Sequence, residues 1–302
     1  MRGLYKICLG GIAVAVLVCE NLKYLYSAGT PFETAAIEGV DFTAESGELI
    51  GIIGHTGSGK STLIQHFNGL LEPNSGVVLL DGKNIWAKEN KKKIRNVRFA
   101  VGLCFQYPEY QIFEESIFKE IAFGPKQMGL SEEEIRARVY ESMEFVGLKK
   151  SMENKSPFDL SGGQKRRVAI ASILAMRPKV LILDEPCAGL DPRGREVILA
   201  LIKEYQNKTG STVIIVSHSM EDVAKLCSKV VVMNQGKVAM SGTVAEVYSR
   251  ARELREMGLN VPQVTEIFMK LKESGVDCRT DIFTVEQGRA ELQRLFAKEG
   301  IV

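Results

Sequence analysis

A glycine-rich segment, Gly54 to Ser61, constrains the fold of this chain more than any other feature. It reads G-H-T-G-S-G-K-S and follows the apolar run Glu48–Ile53, which is typical of a buried strand. Glycines let backbone N–H groups curl around phosphate oxygens, and a helix beginning near Lys60 adds positive potential at its N-terminus. The segment therefore predicts a strand, a phosphate-binding loop (P-loop) and a helix in an α/β fold.

This pattern also predicts what individual side chains do. Lys60 is expected to reach the β- and γ-phosphates of a nucleotide, and Ser61 is expected to hold Mg²⁺. The predicted phosphate-binding residues are Gly54, His55, Thr56, Gly57, Ser58, Gly59, Lys60, Ser61 and Thr62.

A second pattern is an aliphatic run, Val180–Leu183, that ends in two acids. Parallel sheets bind ligands at the carboxyl ends of their strands, where these acids are expected to lie. Asp184 suits the Mg²⁺ shell, and Glu185 suits polarising the attacking water. The alternative is a strand that ends in a solvated acidic turn. The upstream P-loop favours the site.

The chain as a whole alternates apolar, β-rich runs with helical patterns, which indicates a mostly parallel sheet with crossover helices. Residues from about 107 to 176 are predicted to be mostly helical, with Ser131 as a helix N-cap. The predicted strands are Glu48–Ile53, Val180–Asp184, Thr212–Ser217 and Lys229–Asn234, with smaller antiparallel strands at Val77–Leu80 and Phe99–Phe105. The predicted C-terminal helices are Val244–Met257, Pro262–Ser274 and Val285–Lys298.

Composition excludes some classes of function. The net charge is only +2, and the six cysteines are scattered without a C-x-x-C pair. We therefore expect reduced thiols rather than disulfides or zinc. The basic run Lys91–Lys93 invites a nucleic-acid interpretation, but it lacks interleaved aromatics, and a solvated loop is favoured.

The N-terminal apolar run Ile7–Cys19 resembles the apolar region of a signal peptide. It runs without a clear cleavage motif into the segment that follows. A buried strand is therefore favoured over secretion. A membrane-spanning helix needs about 20 apolar residues, and this run is shorter.

The segment Leu160-Ser161-Gly162-Gly163-Gln164, upstream of Asp184, resembles the signature of ABC ATPases. The hydroxyl and the glycine N–H groups at a helix start form a second anion site. The resemblance implies ATP and Mg²⁺ as cofactors and two chains packed head to tail. Each ATP would lie between one chain's P-loop and the other chain's signature.

Four further residues gain a role only from this resemblance. Gln106 resembles the Q-loop glutamine that contacts Mg²⁺ and water, and Asp191 lies in a segment that resembles the D-loop. His218 resembles the switch histidine at the γ-phosphate. Tyr26, rather than Tyr24, resembles the aromatic that stacks on adenine. The implied catalytic set is Glu185, His218, Gln106 and Lys60, and the implied Mg²⁺ ligands are Ser61, Gln106 and Asp184.

Within the ABC ATPases, the chain is most similar to the ATP-binding subunits of energy-coupling-factor (ECF) transporters. Five segments carry this likeness: Gly54–Leu63, Gln65–Leu70, Phe105–Phe113, Ala122–Pro125 and Ser156–Ala171. Gly29-Thr30-Pro31-Phe32 resembles the second of two paralogous ATPase types. Two departures adjoin catalytic positions: Cys187 replaces a common Thr, and Ser219 replaces a common Asp.

The ECF resemblance implies partners and a location. They are a second ABC ATPase, a paralogue in preference to an identical chain, a transmembrane coupling protein and a substrate-binding membrane protein for vitamins or metal ions. The chain would lie on the cytoplasmic face of a bacterial cell membrane, with no nucleic-acid partner. A conventional ABC transporter ATPase remains the alternative, followed by a soluble ABC protein acting on DNA or ribosomes.

The predicted fold is therefore an α/β P-loop NTPase of the ABC type, with a small antiparallel β-subdomain and a helical subdomain. We predict an N-terminal extension or first strand over residues 1–18 and the ATPase domain over 19–243. Residues 244–302 form a helical extension, which either dimerises or caps the core.

Overall fold

The computed structural model describes residues 15–298 of the chain, and ten strands lie in this part. They are β1 (Ala15–Tyr26), β2 (Thr34–Glu45), β3 (Leu49–Ile53), β4 (Ser75–Leu80), β5 (Lys83–Asn84), β6 (Val101–Cys104), β7 (Val180–Asp184), β8 (Thr212–Val216), β9 (Lys229–Asn234) and β10 (Lys237–Thr243).

The described helices surround these strands. They are α1 (Lys60–Phe67), α2 (Lys88–Lys91), α3 (Ile94–Ala100), α4 (Ile117–Gln127), α5 (Glu132–Phe145), α6 (Gly162–Leu174), α7 (Pro192–Thr209), α8 (Met220–Leu226), α9 (Val244–Tyr248), α10 (Ala251–Glu256), α11 (Gln263–Glu273) and α12 (Val285–Lys298). Short 3₁₀ turns lie at Pro108–Gln111, Lys150–Met152 and Pro157–Asp159.

The strands form two sheets. The larger has the order β10-β9-β3-β8-β7-β6, parallel except for the antiparallel edge strand β10. The smaller is antiparallel, in the order β2-β1-β4-β5. The predicted mostly parallel core with a small antiparallel sheet is therefore confirmed.

The central strands β3, β7 and β8 are buried along their whole length. Alternate residues of each strand enter different core clusters, since successive side chains point to opposite faces. Ile182 and Ile214 share one cluster with Phe67 of α1, whereas Leu183 and Ile215 belong to the cluster that includes residues of α4, α5 and α6. Both faces are covered, so these strands read as unbroken aliphatic runs.

One predicted strand was placed in the wrong sheet. Val77–Leu80 lies in the antiparallel β4 as expected, but Phe99–Phe105 becomes the parallel edge strand β6. Phe99 is still in α3, and Val101 pairs with Val180. A short apolar run shows that a strand is buried but not which neighbour it pairs with, because pairing is decided by tertiary packing.

The predicted helical stretch is confirmed in α4, α5 and α6. Ser131 caps α5 as expected, since its Oγ accepts from the backbone N–H of Glu134 at 3.3 Å, and the Glu134 carboxylate accepts in return from Ser131 N–H. This reciprocal capping box fixes the start of the helix. Within residues 15–298, no helix is both long enough and apolar enough to cross a membrane.

The C-terminal region differs in detail from the prediction. The single helix predicted over Val244–Met257 is broken between Tyr248 and Ala251 into α9 and α10. The Tyr248 ring is fully buried, and its hydroxyl donates to the Met220 carbonyl at 3.1 Å, which anchors the end of α9 against α8. Tertiary packing thus overrides a continuous helical pattern.

The C-terminal extension has two kinds of packing. Tyr248, Ala251 and Leu254 join the large core cluster that also contains Leu183 and Ile215, whereas Phe268, Cys278 and Ile282 form a small cluster of their own. The cysteines of the described residues are free thiols, namely Cys19, Cys104, Cys187, Cys227 and Cys278. Cys8 and most of the apolar run Ile7–Cys19 lie outside the described residues, and Ala15–Cys19 is the start of β1.

Candidate active site

The P-loop joins β3 to α1, and two of its glycines are required by close backbone approaches. A Cβ on Gly54 would lie 2.3 Å from the Met233 carbonyl oxygen, and one on Gly59 would lie 2.6 Å from that of Ala36. Gly59 is also the N-cap of α1 with a φ of +100°. Any larger residue would displace the loop from the strands beneath it.

Lys60 folds back over this loop. Its Nζ donates to the carbonyls of Gly54 at 2.7 Å and His55 at 2.8 Å. Burial lowers the pKa of Lys60, and the nearby carboxylates of Glu185 and Asp184 oppose that shift. The ammonium is therefore bonded to two neutral carbonyl oxygens of the loop, which a phosphate group can replace.

Two observations test whether these residues fit a magnesium–nucleotide complex. Among residues 15–298, Ser58 Oγ is buried and has no hydrogen-bond partner, which leaves a donor for a phosphate oxygen. Ser61 Oγ donates to Asp184 Oδ2 at 3.3 Å, so two of the three predicted Mg²⁺ ligands are in contact. Among the described residues no cluster of three His, Cys, Asp or Glu side chains is suited to a metal. A serine hydroxyl, a carboxylate and phosphate oxygens are ligands of the kind that Mg²⁺ takes.

Glu185 follows β7 in a strained conformation, with a φ of +49°. Its Oε1 is buried without a hydrogen-bond partner in the described part of the chain, and His218 Nε2 lies 3.5 Å away. Burial, reinforced by the charge of Asp184, raises the pKa of Glu185 to about 7. Burial and the charge of Lys60 lower the pKa of His218. A buried carboxylate oxygen that has no hydrogen-bond partner within residues 15–298 therefore faces an imidazole whose neutral form is favoured by burial.

Gln106 lies two residues beyond β6, at the same carboxyl edge of the sheet as Asp184, because Cys104 pairs with Leu183. Its side chain is exposed. The strand that was assigned to the wrong sheet is thus the one that brings Gln106 to this edge.

Tyr26 lies at the end of β1, beside the P-loop helix. Its hydroxyl is 3.2 Å from Thr62 Oγ1, and its side chain is exposed. Tyr24 packs edge-on between Tyr26 and His66, with ring centroids 4.9 and 4.8 Å away. Tyr26 is therefore the more accessible of the two rings.

The signature segment forms the start of α6. Ser161 caps the helix together with Gln164, while Gly162 and Gly163 are exposed in its first turn. A Cβ on either glycine would meet nothing within 4 Å. Within residues 15–298, no hydrogen bond or ion pair connects positions 160–164 with the P-loop. Asp191 caps α7, where its Oδ1 accepts from Gly194 N–H at 2.6 Å.

Two arginines near the site were missed by sequence reasoning. Arg166 of α6 is buried and makes a two-pronged ion pair with Glu109, and Arg195 of α7 binds Asp222 and the Ser219 hydroxyl. One signal was available for Arg166. It lies four and eight residues before Ile170 and Leu174, which places it on the buried face of the helix.

Comparison with known proteins identifies the family. The ABC transporter family profile matches residues 37–188. The chain is 53% identical over 275 residues to the energy-coupling factor transporter ATP-binding protein EcfA2 of Caldanaerobacter subterraneus, covering 91% of this chain and 96% of the relative. It is 54% identical to the EcfA2 of Clostridium perfringens, covering 90% and 95%.

Solved structures agree with this assignment. The structure of cbiO1 from Clostridium perfringens, described as part of the ABC transporter complex cbiONQ, matches with a TM-score of 0.70 and 41% identity, over 80% of this chain and 94% of that one. The ATP-binding cassette MJ0796, in a dimeric post-hydrolysis state with ADP and Pi, matches with a TM-score of 0.66 and 26% identity, over 76% and 98%. The chain therefore belongs to the energy-coupling factor transporter ATP-binding proteins of the ABC family, and it is an ATP-hydrolysing subunit of a transporter.

Proposed function

We propose that this chain hydrolyses ATP at the edge formed by the P-loop, Asp184, Glu185 and His218. The observation that carries the proposal is the buried Oε1 of Glu185, which has no hydrogen-bond partner within residues 15–298 and lies 3.5 Å from His218 Nε2. In this role Glu185 accepts a hydrogen bond from the attacking water. His218 and Lys60 contact the γ-phosphate and stabilise the charge that develops there.

Mg²⁺ binding is assigned to Ser61, Asp184 and Gln106, and phosphate oxygens and water would supply the other ligands. Mg²⁺, when bound, neutralises charge that develops on the phosphate oxygens. Tyr26 is assigned to adenine stacking, because it is the exposed ring next to Thr62. The loop residues from Gly54 to Thr62 supply the remaining phosphate contacts.

The second part of the proposal is that the signature, Leu160 to Gln164, acts on ATP bound by a partner ATPase. A helix N-terminus that is exposed, capped and lined by glycines suits an anion from outside the chain. The dimeric form of the related MJ0796 cassette is consistent with such pairing. Asp191, at the start of α7, would lie in the segment that crosses to the partner. A paralogous partner is preferred to a second copy, because the relatives carry the second-type name.

A third part concerns the membrane partners. Four aromatic side chains are exposed on the segment that follows Gln106 and on the neighbouring α4: Tyr107, Tyr110, Phe113 and Phe123. We call them the aromatic face. Exposed apolar patches mark interaction sites, and this one adjoins the active-site edge. We assign it to a transmembrane coupling protein on the cytoplasmic face of the bacterial membrane. A separate membrane protein would bind the vitamin or metal ion.

The experiment that tests this function is a pull-down of the tagged chain from membranes in mild detergent, with mass spectrometry of the bound proteins. We expect a second ABC ATPase, one coupling-type membrane protein and several small membrane proteins that replace one another. Recovery of a fixed pair of large permease subunits would instead indicate a conventional ABC transporter. Recovery of ribosomal or DNA-bound proteins alone would overturn the transport assignment.

A further inference from the structure

The side chain of Arg166 connects three segments of the site that are far apart in sequence. Its Nε and Nη2 donate to the two carboxylate oxygens of Glu109, at 3.0 and 2.7 Å. Its Nη1 donates to the carbonyls of Pro186 at 3.2 Å and Ala188 at 2.6 Å. One guanidinium on α6, the helix that starts with the signature, thus holds both the segment after Gln106 and the loop after Glu185.

The contact is buried and specific. Arg166 is 2% exposed, and the Glu109 side chain is 14% exposed. A guanidinium offers a planar fork of donors that matches a carboxylate in two places, which a lysine does not. The Tyr107 ring lies near the same guanidinium, with its centroid 6.0 Å away.

The loop held by Arg166 is the one that sets the conformation of Glu185. Ala188 accepts from Arg166 through its carbonyl, and its N–H donates to the Glu185 carbonyl at 3.0 Å. A shift of Ala188 is therefore transmitted directly to the strained backbone of Glu185. The adjacent Gly189 lies against Tyr107, since a Cβ there would be 3.4 Å from Tyr107 Cε1.

We propose that Arg166 is a positioning residue that fixes the loop carrying Glu185 to the segment carrying the aromatic face. Displacement of Tyr107 or Glu109 by a docked partner moves the guanidinium, and with it the carbonyls of Pro186 and Ala188. The signature helix takes part in the same movement because it carries Arg166. This inference rests on the proposed function of Glu185 and adds the residue that couples Glu185 to the aromatic face.

The test compares Arg166→Lys with the parent in the purified ATPase pair. Lysine keeps the charge but loses the fork, so the Glu185 loop is held less firmly. We expect kcat for ATP hydrolysis to fall about tenfold or more, while the Kd for ATP stays within about twofold, because Arg166 makes no contact with the P-loop. The matched control is Arg167→Lys, since Arg167 donates to the carbonyls of Val146 and Gly147 instead. Its kcat should equal that of the parent.

A double variant separates positioning from stability. Arg166→Met alone leaves Glu109 buried and unpaired, whereas Arg166→Met with Glu109→Met removes both charges. We expect the double variant to unfold at nearly the parent temperature but to keep the low kcat. A double variant with parental kcat would overturn the proposal, as would a loss of ATP affinity equal to the loss of kcat.

Glu185→Gln is measured in parallel to distinguish the two proposals. If Glu185→Gln hydrolyses ATP at the parental rate, the assigned function of Glu185 is wrong. If Glu185→Gln is inactive but Arg166→Lys is as active as the parent, only the role of Arg166 is wrong.

Discussion

His218 Nε2 lies 3.5 Å from Glu185 Oε1, although 33 positions separate the two residues in the sequence. The contact follows from the register of two parallel strands. Asp184, the last residue of β7, pairs with Val216, the last residue of β8, and Glu185 N–H donates to the Val216 carbonyl at 2.9 Å. Both strands thus end at one level, and the residues just beyond them face each other at the carboxyl edge of the sheet.

Replacing Glu185 with Gln should stabilise the nucleotide-free chain, and this effect should depend on pH. The folded-state pKa of Glu185 is raised from 4.5 to about 7. Below pH 4.5 the carboxyl is protonated in both the folded and unfolded states, and burial costs little. Above pH 7 the folded chain holds a desolvated carboxylate, so parent stability falls as the pH rises between these values. Glutamine avoids that cost.

We expect Glu185→Gln to raise the free energy of unfolding by about 1–3 kcal/mol at pH 8 and by less at pH 5, in urea titrations of the nucleotide-free chain. Glu256→Gln, at an exposed carboxylate of α10, is the control and should change stability by less than about 0.5 kcal/mol at either pH. An equal gain from Glu185→Gln at both pH values would show that the burial of its charge has been misjudged.

Removal of the Tyr26 ring should weaken nucleotide binding. A base stacked on an aromatic side chain is stabilised by about 1–3 kcal/mol, so Tyr26→Ala should raise the Kd for ATP about tenfold. Tyr26→Phe keeps the ring and loses only the contact with Thr62, so its Kd should stay within about twofold of the parent. Titration with ATP measures both. Unchanged affinity in Tyr26→Ala would assign adenine to another surface.

The aromatic face should be needed for docking but not for ATP binding. Phe113 is 57% exposed and meets Phe123 edge-on, with ring centroids 5.1 Å apart. Phe113→Ala removes an exposed aromatic anchor of the kind that dominates interfaces. We expect recovery of the membrane partners in the pull-down to fall at least fivefold, with the Kd for ATP unchanged.

Phe32→Ala serves as the control for this experiment. Phe32 is an exposed phenylalanine in the turn between β1 and β2. Its removal should leave both docking and ATP binding as in the parent. An equal loss of docking and ATP binding in Phe113→Ala would contradict the assignment of the aromatic face.

The sequence predicts those parts of the site that are built from consecutive residues. Gly54 to Ser61 supplies loop, lysine and helix start within eight positions, and the run before Asp184 reveals a strand buried on both faces. The capping pattern at Ser131 is equally local. In each case the local structure depends on neighbours in sequence, which is why the sequence predicts it.

The parts that were missed depend on contacts between distant residues. β6 pairs with β7, and nothing in the run Phe99–Phe105 itself indicates that partner. The break after Tyr248 depends on the Met220 carbonyl. Arg166 meets Glu109 across 57 positions, and only its place on the buried face of α6 hinted at a role. Contacts between residues so far apart in sequence are identified only from the folded structure.

The central claim is that the signature of this chain contacts ATP that is bound by the P-loop of the partner ATPase. Gly162→Asp tests this claim directly. The new side chain fits, because a Cβ at this position meets nothing within 4 Å, and a helix N-terminus tolerates an acid. Its negative charge, however, repels a triphosphate. Lys60→Met is the comparison, since it removes the ammonium from this chain's own P-loop. The measurement is the Kd for ATP of the isolated chain, together with ATP turnover by the purified ATPase pair. We predict that Lys60→Met weakens ATP binding to the isolated chain, while Gly162→Asp leaves that binding within about twofold of the parent and lowers turnover by the pair at least tenfold. A Gly162→Asp chain that loses ATP affinity as Lys60→Met does, or that supports parental turnover, would contradict the account.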